Sequence, residues 1–176
     1  MTILLTTSLR PSQRTRTFCN DLAACCAAFS TFTRGKASLS YLFEYARSIG
    51  SAKLWIVHSR FGGPSLIECY AAFKTKPLAS FLIKRVQLYR ELTVKSPKST
   101  RHRPLSLPPP ESEELRPIHE CLKELLSDDI SSVEGGKVTE LHIQFSHETP
   151  EIFFIDSVSK LPCGPAIYLK SFRCGP

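Results

Sequence analysis

Apolar residues divide the first 78 positions into continuous runs and segments of helical spacing. Continuous runs are typical of buried strands, whereas apolar residues that recur every three or four positions are typical of a helix packed on a sheet. The pattern predicts strand 2–7, helix 13–29, strand 30–33, helix 39–49, strand 53–58 and strand 65–73. The buried stripe expected on the second helix consists of Leu39, Leu42, Phe43, Ala46 and Ile49. This β-α-β-α-β-β order predicts an α/β fold.

The remainder of the chain has a different order of elements. The pattern predicts strand 79–92, loop 93–110, helix 113–126 and strands 137–145, 151–158 and 166–172. The helix would turn Leu115, Ile118, Leu122 and Leu125 inward, and Pro117 is compatible with it only in the first turn. In the first part, Gly62-Gly63-Pro64 is expected to form the turn of a hairpin.

Charge is distributed unevenly along a chain of otherwise ordinary composition. Hydrophobic residues make up 42% and charged residues 22%, with a formal net charge of +7. Residues 1–110 hold 17 basic and 4 acidic residues, whereas residues 111–156 hold 3 basic and 12 acidic ones. A basic surface favours polyanionic partners through phosphate contacts, although the totals alone fit a merely soluble basic protein equally well.

Nothing in the sequence predicts a membrane span or a signal peptide. No segment approaches the ~20 apolar residues that a span requires. The short apolar run Ile3-Leu4-Leu5 has no basic residue before it. We therefore expect an intracellular, cytoplasmic protein with no membrane partner.

The most informative segment is the polar loop between the first strand and the first helix. Arg10, Arg14 and Arg16 lie at the expected helix start, and no acidic residue precedes Asp21. Cations oppose the helix dipole at that position, so the arrangement favours a site that holds an anion. The alternative is a solvated basic loop whose arginines pair with nearby carboxylates.

Further basic residues are expected near the same edge of the sheet. Arg34-Gly35-Lys36 forms a turn after the second strand, and Arg60 follows the third. Loops after successive parallel strands gather on one edge, which would bring these residues to the arginine-rich loop. The stretch from Lys74 to Arg103 adds nine basic residues against one acid, with Lys84, Arg85 and Arg90 among them. Nearby aromatic residues suit RNA binding, although core packing is the preferred interpretation for Phe81.

The sequence contains no recognisable catalytic or metal-binding motif. A P-loop, a G-x-G-x-x-G segment after a strand and an H-E-x-x-H motif are all missing. The seven cysteines include no C-x-x-C pair, which disfavours a zinc site, and most are expected to be small buried side chains. Cys163 and Cys174 flank the last predicted strand, and a disulfide between them is an alternative that the sequence leaves open. We expect no catalytic residues, metal or cofactor.

Two segments resemble the archaeal Brix-domain family. The first is Ile3-Leu-Leu-Thr-Thr-Ser-Leu-Arg-Pro-Ser-Gln-Arg-Thr-Arg-Thr-Phe18 with the later Thr33-Arg-Gly-Lys36, and the second is Leu161-Pro-Cys-Gly-Pro-Ala-Ile-Tyr-Leu-Lys170. Many members have a Pro-Asn pair where this chain has Ala27 to Phe32, which leaves the end of the first helix open.

The resemblance implies a fold and a role that residue spacing does not show. It implies one Brix domain over residues 1–176, with two similar halves of about 1–78 and 79–176. Each half would be similar to the anticodon-binding domain of class IIa aminoacyl-tRNA synthetases. It implies a non-catalytic, monomeric factor that binds precursor ribosomal RNA, with ribosome-assembly proteins as further partners. The alternative function is a module that binds tRNA or another structured RNA.

Overall fold

The computed structural model describes residues 2–96, 103–130 and 136–175. The strands described there are β1 (Ile3–Thr7), β2 (Phe29–Thr31), β3 (Lys53–Arg60), β4 (Gly63–Ala71), β5 (Ala79–Gln87), β6 (Leu105–Ser106), β7 (Thr139–Ser146), β8 (Thr149–Asp156) and β9 (Ala166–Cys174). The helices are α1 (Gln13–Cys25), α2 (Leu39–Ser48) and α3 (Arg116–Leu126), with 3-10 turns at Tyr89–Glu91 and Glu113–Leu115. In this part of the chain, no helix has the length and apolar character that crossing a membrane requires.

The nine described strands belong to one mixed sheet, in the order β2-β1-β3-β4-β5-β9-β8-β7-β6. β1 runs parallel to both β2 and β3, and β6 runs parallel to β7. The other neighbours are antiparallel. The pairing of β5 with β9 joins the N-terminal strands to the C-terminal ones in a single sheet. Together with the helices, this sheet of parallel and antiparallel strands forms a mixed α/β fold.

One face of the sheet packs against both α1 and α3. The two helices contribute buried side chains at the three- and four-residue spacing seen in the sequence: Phe18, Leu22, Cys25, Ile118, Leu122 and Leu125. They meet strand residues such as Phe81 and Phe154, each 2% exposed. Pro117 lies in the first turn of α3, where a helix does not need its missing N–H. The prediction for this helix is therefore confirmed.

The opposite face of the N-terminal strands is covered by α2. Leu42, Phe43 and Ala46 pack there against residues of β1, β3 and β4. Ile49, which the sequence pattern assigns to this stripe, is instead 44% exposed. The helix ends at Ser48, and Ile49 has non-helical backbone angles, so its side chain does not continue the buried face.

The sheet curls until its two ends meet. The backbone N–H of Ala27 donates to the carbonyl of Arg103 at 2.8 Å, and the Thr139 hydroxyl donates to the carbonyl of Cys25 at 2.6 Å. The segment that leads into β2 therefore contacts the segment that leads into β6. The spacing of apolar residues predicts a helix up to residue 29, but α1 ends at Cys25. The backbone of Ala27 bonds to Arg103 instead of continuing the helix.

Several boundaries differ from the sequence prediction for tertiary reasons. The hairpin turn lies at Phe61–Gly62, so that Gly63 already pairs with Arg60 at the start of β4. β5 stops at Gln87, two residues before the 3-10 turn at Tyr89–Glu91, instead of continuing to residue 92. The two-residue strand β6 lies inside the predicted loop, because two residues are too few to produce a strand pattern and only its pairing with β7 identifies it.

The structure pairs Cys174 with Cys121, not with Cys163. Cys121 and Cys174 form a disulfide between α3 and the end of β9, with Cα atoms 5.9 Å apart. Cys163 is a reduced, buried thiol before β9 begins. A nine-residue strand spans roughly 25 Å, so cysteines at its two ends cannot meet. The suggested disulfide between Cys163 and Cys174 is therefore wrong.

Candidate nucleic-acid interface at the carboxyl ends of the parallel strands

The predicted gathering of basic loops at one edge of the sheet follows from the strand directions. Because β1, β2 and β3 are parallel, their carboxyl ends at Thr7, Thr31 and Arg60 lie at the same edge. β5 also ends at this edge, because it is antiparallel to β4. We call this the basic edge, defined by Arg10, Arg14, Arg16, Arg34, Lys36 and Arg60.

Three of these arginines line one open cavity. Arg10, Arg16 and Arg34 surround a space of about 300 Å³ between α1 and the ends of β1 and β2. The cavity is also lined by Gly35, Asn20 and the strand residues Thr6 and Thr7, among others. A cavity of this kind, with three guanidinium groups on its walls, can hold a phosphate group.

Hydroxyl groups hold the start of α1 beside this cavity. Ser12 is the N-cap, and its side chain accepts from the backbone N–H of Thr15 at 3.1 Å. The first turn of α1 contains no acidic residue. Ser59 of β3 accepts from the backbone N–H of Ser12 at 3.2 Å and also contacts the Thr15 hydroxyl. The helix start is therefore fixed to the end of β3, and its partial positive charge has no carboxylate in that turn.

Arg34 is partly anchored by the backbone around it. Its Nε donates to the carbonyl of Ala37 at 3.1 Å, and a terminal nitrogen donates to the carbonyl of Thr7 at 3.4 Å. Partial burial lowers the pKa of its guanidinium. Gly35 follows at φ +55°, a conformation that glycine adopts without steric cost. Arg34 is therefore a preorganised wall of the cavity, whereas Arg10 and Arg16 are exposed.

Arg14 faces away from the cavity. Its guanidinium pairs with the Glu91 carboxylate and donates to the carbonyl of Val86 at 3.0 Å. The hydrogen bond with Glu91 raises the pKa of Arg14. Arg14 and Arg16 are separated by roughly 200° around a helix, so one side faces β5 while the other faces the cavity. For Arg14, the geometry therefore matches the alternative interpretation of the loop, in which its arginines pair with carboxylates that are close in space.

The remaining predicted residues lie outside the cavity. Arg60 stacks against Phe61, and Lys36 is exposed in the turn after Gly35. Lys84 donates to the Thr149 hydroxyl at 3.0 Å.

The end of β5 carries the other two. Arg85 lies over the Tyr168 ring at 3.9 Å, and Arg90 is exposed in the 3-10 turn that contains Glu91. Phe81 is a core residue, as expected. Lys98 and Arg101 of the predicted basic strip lie outside the described residues.

Several carboxylates of the acidic segment pair within the protein. Asp128 binds Lys53 at 3.0 Å, and this hydrogen bond lowers the pKa of the Asp128 carboxyl. Asp156, which is 2% exposed, forms an ion pair with Arg103. Part of the negative charge therefore serves internal contacts. Among the residues that the structure describes, no group of three or more His, Cys, Asp or Glu side chains is placed to hold a metal ion.

One residue next to the basic edge escapes prediction from the sequence. Phe61 forms the tip of the β3–β4 hairpin and is 95% exposed. The available signal is an aromatic residue directly before Gly62, a position where hairpin turns normally carry Asn, Asp or Gly. The sequence pattern predicts the turn at Gly62-Gly63-Pro64, one residue later than in the structure, so it does not place Phe61 at the tip of the hairpin.

The chain has relatives among known proteins. No protein-family model matches it. Over 90 residues the chain is 38% identical to a protein of Aeropyrum pernix described as a probable Brix domain-containing ribosomal biogenesis protein. That match spans about half of each protein, 49% of this chain and 50% of the relative.

Solved structures extend the likeness to nearly the whole chain. The crystal structure of a probable ribosomal biogenesis protein from Aeropyrum pernix K1 has a TM-score of 0.81 and 29% identity, covering 96% of this chain and 94% of that one. Mil, an archaeal Imp4-like protein, has a TM-score of 0.70 and 22% identity, covering 98% and 100%, which shows the fold alone. The chain thus resembles an archaeal Brix domain-containing protein in sequence over about half its length, and an archaeal ribosomal biogenesis protein in fold over nearly all of it. The resemblance to the archaeal Brix-domain family predicted from the sequence is confirmed.

Proposed function

We propose that this chain is a non-catalytic ribosome-biogenesis factor that binds precursor ribosomal RNA through its basic edge. The observation that carries the proposal is the cavity of about 300 Å³ with Arg10, Arg16 and Arg34 on its walls. The phosphates of the RNA backbone are the ligand, because guanidinium groups and a helix N-terminus both favour phosphate oxygens. The names of the relatives support ribosome biogenesis as the setting.

The proposal includes the organisation and setting that the resemblance implies. We propose a single Brix domain, monomeric and cytoplasmic, with halves of about 1–78 and 79–176. The strand directions support the division: β1 parallel to β3 precedes the antiparallel pair β3–β4, and β6 parallel to β7 precedes the antiparallel pair β7–β8. The likeness of each half to an anticodon-binding domain stays a prediction.

Salt-dependent RNA binding tests the basic edge directly. Fluorescence anisotropy with a labelled precursor rRNA fragment, over a salt series, should give an affinity that falls steeply with salt. The double variant Arg10→Gln/Arg16→Gln should bind more weakly and reduce the salt slope by roughly one for each phosphate that is no longer neutralised. Arg14→Gln alone should have a smaller effect, because Arg14 already pairs with Glu91.

A charge-matched control separates the site from net charge. Lys74 and Lys76 are exposed in the loop after β4, at the opposite edge of the sheet. Lys74→Gln/Lys76→Gln removes the same two charges and should leave the salt slope near that of the native chain. If the two double variants bind RNA equally weakly, net charge alone explains the binding and the proposed site is refuted.

Crosslinking to cellular RNA tests the biological ligand. Ultraviolet crosslinking in archaeal cells, followed by sequencing of the bound RNA, should concentrate at a few positions of precursor rRNA. Crosslinks that fall mainly on tRNA would favour the alternative module and overturn the ribosomal assignment. The Arg10→Gln/Arg16→Gln variant, expressed to the same level, should lose the concentrated signal.

A further inference from the structure

We propose that Phe61 is a stacking platform for an unpaired nucleobase of the bound RNA. This inference rests on the proposed function and adds a second chemical class of contact to it. The phosphate cavity holds the backbone on one side of the first turn of α1, and the ring of Phe61 receives a base on the other side.

The hairpin tip lies next to the start of α1. Ser59, two residues before Phe61, is hydrogen-bonded to Ser12, and the position of a Cβ on Gly63, two residues after it, lies 3.7 Å from Cδ of Arg14. The cavity meets the same helix start from the other direction, through Arg16. A single RNA strand can therefore run from the cavity across this turn to the hairpin tip.

The exposure and the backbone of Phe61 are unusual together. A single exposed apolar residue needs no explanation, but Phe61 is 95% exposed with φ +52°, followed by Gly62 at φ +80°. Two successive positive φ angles in a two-residue hairpin turn favour Asn-Gly, and a bulky side chain is unfavourable at the first of them. Phe32, an aromatic residue that lines the cavity, already packs on Tyr45 with ring centroids 4.5 Å apart. Phe61 has no such packing role to account for it.

The surroundings of Phe61 favour a base over an apolar protein surface. The guanidinium of Arg60 lies 4.9 Å from the centre of the ring, and the side chain of Arg14 reaches the Cβ position of Gly63, two residues after Phe61. Aromatic rings beside arginines bind single-stranded nucleic acid by stacking a base while the cations hold the backbone. An apolar protein partner would have to cover these charged groups as well, which costs free energy.

Replacing the ring without harming the turn tests the proposal. Phe61→Asn removes the aromatic surface and installs the residue that this turn prefers, so the variant should fold at least as well as the native chain. Fluorescence anisotropy with a short labelled single-stranded RNA of mixed sequence should show binding weakened by about fivefold or more. An abasic ribose-phosphate strand of equal length should bind the variant and the native chain equally well.

A matched control lies at the other end of β4. Phe73 is 77% exposed and lies near a cation, Arg47, at 6.0 Å, but it belongs to the opposite edge of the sheet. Phe73→Asn should leave RNA affinity unchanged. The variant Phe61→Trp provides a direct readout, because a base stacked on the new indole ring should quench its fluorescence. The native Trp55 is only 5% exposed, so its own emission should not change when RNA binds.

The outcomes separate this inference from the function on which it rests. If the native chain binds RNA and Phe61→Asn binds it equally well, the stacking platform is overturned and the phosphate site still stands. An equal weakening on the abasic strand would overturn it too, since the ring would then act without a base. No RNA binding by the native chain would instead refute the proposed function itself.

Discussion

The disulfide between α3 and β9 should make a measurable contribution to the stability of the fold. Cys121 and Cys174 are separated by 53 positions. A crosslink that closes a loop of this length lowers the entropy of the unfolded chain by an amount worth about 4 kcal/mol at 25 °C. Native disulfides typically contribute about 2–4 kcal/mol. For a chain of 176 residues, this corresponds to a fall of roughly 5–10 °C in Tm when the bridge is removed.

Cys174→Ser is the better perturbation, because Cys174 is exposed whereas Cys121 is 3% exposed and its replacement would also disturb the core. Thermal unfolding followed by circular dichroism should show a lower Tm for the reduced native chain and for Cys174→Ser. Reductant should not lower the Tm of Cys174→Ser, since Cys121 has then lost its partner and the other five cysteines are reduced and buried.

Counting thiols provides an independent check on the same bridge. The oxidised chain should show five reactive thiols in denaturant and seven after reduction. In the native state the buried thiols should be unreactive at neutral pH, because burial raises the pKa of Cys19 to about 12 and that of Cys163 to about 11. Seven thiols without reductant, or an unchanged Tm on reduction, would refute this account of the bridge.

Two further substitutions test the packing where the sheet ends meet. Gly164→Ala should destabilise the fold by about 1–3 kcal/mol in urea unfolding, because its Cβ would lie 2.9 Å from Cβ and Sγ of Cys25. Gly175→Ala is the control, since its Cβ would meet nothing within 4 Å. Equal destabilisation by the two substitutions would contradict the close approach of Gly164 to Cys25. Asp156→Asn should cost about 3–5 kcal/mol in the same assay, because it leaves the charge of Arg103 without its buried partner. A destabilisation below about 1 kcal/mol, as for an exposed pair, would show that water reaches this ion pair.

The sequence by itself determined the order of the principal elements and the positions of the basic residues in or beside loops. A strand or helix pattern depends on residues a few positions apart, so the stripe containing Phe18 and Leu22 identified α1, and the run 53–58 identified β3. The expectation that Arg10 and Arg34 lie in loops also needed only local information, whereas their meeting at one edge depends on the parallel pairing of β1 with β2.

Tertiary structure alone decided which side each basic residue faces and which cysteines pair. Arg14 and Arg16 are two positions apart, yet Arg14 is taken by Glu91, 77 positions away along the chain. Cys174 meets Cys121 across the packing of α3 on the sheet. The physical reason is the same in both cases: such contacts depend on the register and curvature of the whole sheet, which arise from the packing of its core and leave no local pattern in the sequence.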